Sequence, residues 1–323
     1  MNLERPTFKD ILEARKTISR YLPKTPLYAY PQLDQLLDAK VYVKHENHLP
    51  TGAFKVRGGI NLISHLTPEQ KREGVVTAST GNHAQSIAYA CALYGVPATI
   101  TMPEGANPVK VKAVKGFGAE IIFHGKIFDE SRVYAERLAS ERGARFIHPA
   151  DEPYLIAGVA TYALEMFEEV PDLDLIIVPL GGGSGASGCC LVKEAVLPSA
   201  QVIAVQAEKA PAAYLSWKMK KIVTDQVETA AEGLATQVGY KFTQEILWDH
   251  LSDFILVSEE EMARAILTYL ELVRNLAEDA GAAPLAAALK IKERLRGKKV
   301  ALVLSGGNIS LERLKTILSL KTN

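Results

Sequence analysis

Several features are scarce or missing in this chain. Lys+Arg and Asp+Glu both total 37, leaving no net charge, so nothing electrostatic draws it to nucleic acid or to an anionic membrane surface. No apolar run approaches the ~18 residues of a membrane span. The opening MNLERPTFKD is charged where a secretory leader carries an apolar centre. Only three cysteines occur, Cys91, Cys189 and Cys190, with no CxxC pair, which excludes a disulfide framework and suits a reducing, cytoplasmic location. The seven histidines are scattered, without an HxxxH motif or a Cys/His cluster, so no metal site is expected. Internal repeats and low-complexity linkers are also missing. Any second domain is then an insertion within one folded body.

What is present is an alternation. Short β-branched runs recur at Val41–Lys44, Gly74–Ala78, Ala98–Met102, Ile121–His124, Asp174–Pro179, Val202–Gln206, Phe254–Val257 and Val300–Leu304. Helical stretches separate most of them, the rhythm of βαβ units and a parallel sheet. Asn82–Leu93 and Asn107–Phe117 have helical periodicity. Ser258 followed by Glu259, Glu260 and Glu261 is a capping box opening a long helix that runs to about Ala280. Several strands are almost wholly apolar, as sheets covered on both faces require. The expected class is α/β, with mostly parallel sheets flanked by helices.

Four segments carry chemistry. In Pro50-Thr51-Gly52-Ala53-Phe54-Lys55-Val56-Arg57-Gly58-Gly59 a turn and an apolar ring precede a lysine, and glycines let the chain enter a helix at close quarters. A lysine amine becomes a nucleophile when a partly apolar pocket lowers its pKa, although most lysines are solvated. Ser79-Thr80-Gly81-Asn82-His83 joins a strand end to a helix start. There, backbone N–H groups and hydroxyls suit a carboxylate as well as simple capping. Gly181-Gly182-Gly183-Ser184-Gly185-Ala186-Ser187-Gly188 is a strand-to-helix turn able to cradle a phosphate. Its Gly183, Gly185 and Gly188, with Glu208 downstream, also spell G-x-G-x-x-G, a dinucleotide fingerprint. That rival leaves Lys55 and Ser79–His83 unexplained. Ser305, in Ser305-Gly306-Gly307-Asn308, follows the last strand, where ligand crevices form in parallel sheets.

Together and in this order, TGAFKVRGG, ASTGNHAQ, PLGGGSGASG, AEGLA and LSGGN resemble the threonine dehydratase and serine racemase family of fold-type II pyridoxal 5'-phosphate (PLP) enzymes. The resemblance implies a two-domain, tryptophan synthase β-like architecture. Residues 1–68 and 152–323 would form a large PLP-binding domain, and residues 74–148 a small, mobile inserted one, with PLP in the cleft between them. Lys55 would hold PLP as an imine and move the Cα proton, with Phe54 packed near the ring. Asn82 would bond the 3'-hydroxyl, while Ser79, Thr80, Gly81, Asn82 and His83 would surround the substrate and its carboxylate. Gly181, Gly182, Gly183, Ser184 and Gly185 would bind the phosphate, Gly239 would line the ring and Ser305 would meet the pyridine nitrogen. A neutral hydroxyl there does not enforce a protonated ring, which favours expulsion of a β-hydroxyl over transamination. The implied reaction takes L-threonine- or L-serine-type hydroxy-amino acids to 2-keto acids and ammonia, in a homodimer.

Departures from the family pattern bear on this reading. Ser184 stands at the fourth position of the glycine loop and could add a hydroxyl to the phosphate shell. Gln206 and Ala212 stand where some relatives carry acidic cation ligands, so that site is expected to be absent. Glu208 remains, but one carboxylate makes a poor cage for a divalent ion. Thr80 stands where racemases have serine and dehydratases commonly alanine, so racemisation through Lys55 and Thr80 is the alternative activity. Addition of a nucleophile, as in the β-replacement synthases, is the other; His83 after Asn82 favours the dehydratase branch. Fifteen residues follow Asn308, too few for the effector domain of biosynthetic threonine dehydratases, so feedback control through one is not expected.

Overall fold

The computed structural model describes residues 3–106, 108–126 and 128–320. Asn107, where the sequence predicts a helix to open, lies outside them; that helix is seen over Pro108–Gly116. In chain order the strands are β1 (Leu27–Ala29), β2 (Lys40–His45), β3 (Val75–Ala78), β4 (Ala98–Met102), β5 (Glu120–Phe123), β6 (Arg145–Phe146), β7 (Leu175–Pro179), β8 (Gln201–Ala207), β9 (Asp253–Val257) and β10 (Lys299–Leu304). Among the described residues they form a 6-stranded sheet, β1-β2-β10-β7-β8-β9, and a 4-stranded sheet, β5-β4-β3-β6. All neighbours pair in parallel except β1 with β2. The fold is α/β, as expected. Each predicted strand is present, and the short β1 and β6 are additional. No helix among the described residues is long and apolar enough to cross a membrane.

The chain divides into two compact units, Met1–Leu22 with Lys55–Val159, and Pro23–Phe54 with Ala160–Asn323. The expected larger domain, residues 1–68 and 152–323, includes residues 1–22, 55–68 and 152–159. They fall instead with the 4-stranded sheet, because the helix Phe8–Ile18 packs on the helix Lys55–Ser64. In this unit Val76 and Ala78 of β3 are covered by Ala135, Leu138 and Ala139 of the helix Phe128–Arg142. In the other unit β7 is buried along its whole length, and β8 everywhere but Gln201, as strands covered on both faces must be. Leu285, Ala286 and Ala287 of the helix Asp279–Lys290 belong to the same core as Ile177, Ile203 and Leu302.

Ser258 caps its helix as predicted: Ser258 Oγ accepts from the N–H of Glu261 at 3.1 Å, and Glu261 Oε2 accepts from the N–H of Ser258 at 2.7 Å. The helix does not run on to Ala280. It stops at Thr268, passes into a π-turn over Tyr269–Val273 and ends at Arg274, whose φ is +60°. The interruption serves a tertiary contact. The freed chain donates Glu278 N–H to the carbonyl of Gly306 at 3.1 Å, and Leu276 O accepts from Asn47 Nδ2 at 3.2 Å. The first contact secures the turn after β10, the second the turn Glu46–His48 after β2.

The helices Lys55–Ser64 and Asn82–Tyr94 meet at Gly59, where an added Cβ would stand 2.7 Å from the carbonyl oxygen of Ser86. Alanine is worth about 1 kcal/mol over glycine in a helix interior, yet here backbone blocks it. Gly59→Ala is therefore expected to destabilise the fold by about 1–3 kcal/mol, measured as a lowered urea midpoint at unchanged m-value.

Candidate active site

Lys55 is the first residue of its helix, and its Nζ donates to the carbonyl of Pro149 at 3.3 Å. Burial lowers its amine from the usual 10.5 to about 8, since enclosure strips the hydration that an ammonium needs. Such a lysine is a usable nucleophile and proton carrier near neutral pH. Its carbonyl accepts from Ser86 Oγ at 2.6 Å, which ties the lysine to the helix Asn82–Tyr94 from the same unit.

That helix begins at the loop from Ser79 to His83. Ser79 Oγ accepts from the N–H of Gly81 and from the N–H of Ala84, both at 3.2 Å. With both lone pairs engaged, the hydroxyl's remaining capacity is to donate. Gly81 caps the helix with no heavy atom within 4 Å of where a Cβ would stand; its small size leaves open space above the helix N-terminus. Thr80 and Asn82 flank it, both half-buried.

His83 is 5% exposed. Thr77 Oγ1 gives its single proton to the carbonyl of Ile147 at 2.8 Å, so it must accept from His83 Nε2 at 3.1 Å. The ring is thus the Nε2–H tautomer, and its Nδ1 is a buried lone pair without a partner among the described residues. Burial first, then the charges of Lys55 and His148, hold it well below the usual imidazole range. A neutral ring presenting a lone pair suits a donor rather than a carboxylate, so any carboxylate bond from His83 falls to its backbone N–H. His148 has the same Nε2–H tautomer, its Nδ1 accepting from the N–H groups of Ala150 (3.1 Å) and Asp151 (2.8 Å). Burial, then Arg132 and Lys55, lower it to about 4.

The other unit gathers the remaining segments. Phe54 donates its N–H to Ser305 O at 3.0 Å, and its ring meets Tyr162 edge-on with centroids 6.0 Å apart. A Cβ on Gly185 would stand 3.6 Å from that Phe54 ring. Gly183 has φ +94° and heads the helix Ser184–Val196, whose first residue, Ser184, is buried. Gly181 lies against the carbonyl of Gly233 in AEGLA, which leaves no room for a side chain. Ser305 is buried at the end of β10. Gly239 is glycine for a packing reason, since a Cβ would stand 2.6 Å from Ser216 Cβ. Two residues that the sequence reading passed over also belong here. Thr243 Oγ1 donates to Gly182 O at 2.9 Å, and Thr236 Oγ1 to Gly181 O at 3.4 Å. The residues fit pyridoxal phosphate: one unit carries a half-buried lysine whose amine has a lowered pKa, and the other a glycine turn at a helix N-terminus.

Residues 18–306 match the family model described as pyridoxal-phosphate dependent enzyme. The chain belongs to that family. It is 39% identical over 316 residues to L-threonine ammonia-lyase of Thermotoga maritima, covering 97% of this chain and 78% of that relative. It is 38% identical to L-threo-3-hydroxyaspartate ammonia-lyase of Saccharomyces cerevisiae, covering 97% of each. Maize serine racemase superposes with a TM-score of 0.92 at 34% identity, covering 98% of this chain and 97% of that one. The architecture is therefore that of a fold-type II PLP enzyme. The dinucleotide reading falls with this membership, and its parts have other uses. Gly188 makes room for Ala160, whose Cα would lie 2.9 Å from an added Cβ, and Glu208 pairs with Lys290 Nζ at 3.1 Å. Gln206 donates to Thr236 Oγ1 and accepts from the N–H of Tyr214.

The folded chain disfavours the Lys55 ammonium. Its penalty on stability is complete below about pH 8 and fades as pH rises toward 10.5. In cofactor-free protein, acylation of Lys55 followed by peptide mass spectrometry should rise with pH around a midpoint near 8, well before solvated lysines at about 10.4.

Proposed function

We propose that this enzyme eliminates water from L-3-hydroxy-amino acids of the threonine and serine type, giving a 2-keto acid and ammonia. The half-buried Lys55 at its helix start, its amine lowered to about 8, carries the reading; similarity to two ammonia-lyases supports the choice of reaction. Pyridoxal phosphate bound to that amine supplies an electron sink that acidifies the substrate's Cα–H.

The chain's own residues do the rest. Lys55 would hold the cofactor through its side-chain amine, and the same amine would take the substrate's Cα proton. Asn82 would bond the cofactor's 3'-hydroxyl, and Phe54 would pack near its ring. Gly181, Gly182, Gly183, Ser184 and Gly185 offer backbone N–H groups to the phosphate. Ser305 would meet the pyridine nitrogen with a neutral hydroxyl. Ser79 donates its hydroxyl to the substrate carboxylate, joined by the backbone N–H groups at the start of the helix Asn82–Tyr94. Thr80 sits in the same loop and contributes a proton to the opposite face of Cα only if the enzyme also racemises. The same reading has the enzyme in the cytoplasm, where its buried thiols stay reduced, and in a homodimer, the assembly that the resemblance implies.

A panel of L- and D-threonine, serine and 3-hydroxyaspartate tests this, with keto acid and enantiomer ratio both measured. Keto acid and ammonia should form in equal amounts from the L-isomers. Lys55→Ala should lower turnover by about 10²–10⁴-fold or more. Turnover without keto acid would overturn the reading. Thr80→Ala is expected to abolish any D/L interconversion while keto-acid release persists; an unchanged interconversion rate would remove Thr80 from proton transfer.

A further inference from the structure

We propose that Thr243, assisted by Thr236, is the positioning residue that turns the glycine loop's peptides toward the cofactor phosphate; this rests on the reading of that loop as the phosphate site. A planar trans peptide points its C=O and the following N–H in opposite directions. Fixing where a carbonyl points therefore fixes where the next N–H points. The carbonyls of the loop are all engaged within their own unit. Gly181 O accepts from Thr236 Oγ1 at 3.4 Å, Gly182 O from Thr243 Oγ1 at 2.9 Å, and Gly183 O from the N–H of Ser187 at 2.9 Å. In consequence the N–H groups of Gly182, Gly183 and Ser184 face the opposite way, and those of Gly185 and Ala186 follow at the helix N-terminus. Successive N–H groups aimed to one side make an anion cradle.

Thr243 is the stronger of the two pins. Its hydroxyl has one proton and two carbonyls in reach, Gly182 O at 2.9 Å and Tyr240 O at 3.1 Å. Tyr240 O already accepts from the N–H of Gln244 at 2.9 Å, so the proton goes to the nearer Gly182 O. Thr243 also presses on the next peptide, since a Cβ on Gly183 would stand 2.7 Å from its Oγ1. Thr236 is itself steadied by Gln206, whose Nε2 donates to Thr236 Oγ1 at 3.2 Å. Glycine at 183 thus admits Thr243, which orients the loop, and glycine at 181 admits the backbone of Gly233, while the loop's own backbone serves the anion.

The consequence is selective for the phosphate. Titrating cofactor-free protein with pyridoxal 5'-phosphate and with pyridoxal, which lacks the phosphate, separates orientation of the cradle from general damage. Wild type should bind the phosphorylated form far more tightly. Thr243→Val, nearly isosteric but without a donor, should weaken pyridoxal 5'-phosphate about ten-fold and leave pyridoxal unchanged. Thr243→Ser restores the donor and should restore the affinity. Thr236→Val, losing the longer bond, should show a smaller loss with the same selectivity, and serves if Thr243→Val does not fold. Equal losses for both ligands, or full affinity for the phosphorylated form in both valine variants, would overturn the positioning role. Wild type binding both ligands equally would instead remove the phosphate from this loop.

Discussion

One close contact between two helices supports the chemistry of the unit that holds Lys55. Gly59 lets the helix Lys55–Ser64 approach the helix Asn82–Tyr94 until Ser86 Oγ reaches the carbonyl of Lys55 at 2.6 Å. That bond joins the first turn of one helix to the second turn of the other. The lysine and the Ser79–His83 loop are then set against each other by packed backbone rather than by long side chains. A larger residue at 59 would push the helices apart and move the nucleophile with them. Pre-positioning of this kind is what converts a collision into an intramolecular step.

The same unit shows how hydrogen-bond counting decides protonation where charge alone does not. Thr77 has a single proton and spends it on Ile147 O, and this makes His83 a donor at Nε2 and a bare lone pair at Nδ1. His148 accepts two backbone N–H groups at Nδ1, which requires the same Nε2–H tautomer, here with its lone pair satisfied. Both rings stay neutral, so neither adds a cation beside Lys55. An imidazolium at either position would repel the ammonium and oppose any positive intermediate on the amine.

Most of the fold was legible because its central strands are long and apolar, and their periods differ from those of the helices between them. β1 and β6 were not, since three and two residues carry no period. The overrun beyond Thr268 has a similar origin: local sequence favours helix, but the turn at Arg274 serves a contact with Gly306, far along the chain. At the site, Lys55, Ser79–His83 and Gly181–Gly185 stood out as dense local motifs at strand or helix ends. Thr236 and Thr243 lie 55 and 61 residues from the carbonyls they hold, and nothing in their own neighbourhood marks them. Gly239 was legible as glycine, but its immediate neighbour is Ser216, a packing partner that only tertiary structure reveals.

The glycine loop carries one more implication. Glycine-rich turns are usually costly to order, because each residue gives up wide backbone freedom. Here Gly181, Gly183 and Gly188 are wedged against Gly233, Thr243 and Ala160, so folding itself absorbs that entropy. On the proposed reading of the loop as the phosphate site, the ligand would arrive at a cradle already frozen and spend little of its binding energy on ordering it. Selection at these positions then acts on two demands at once, on the interior that packs behind the loop and on the anion in front. A side chain tolerated by one would still be rejected by the other.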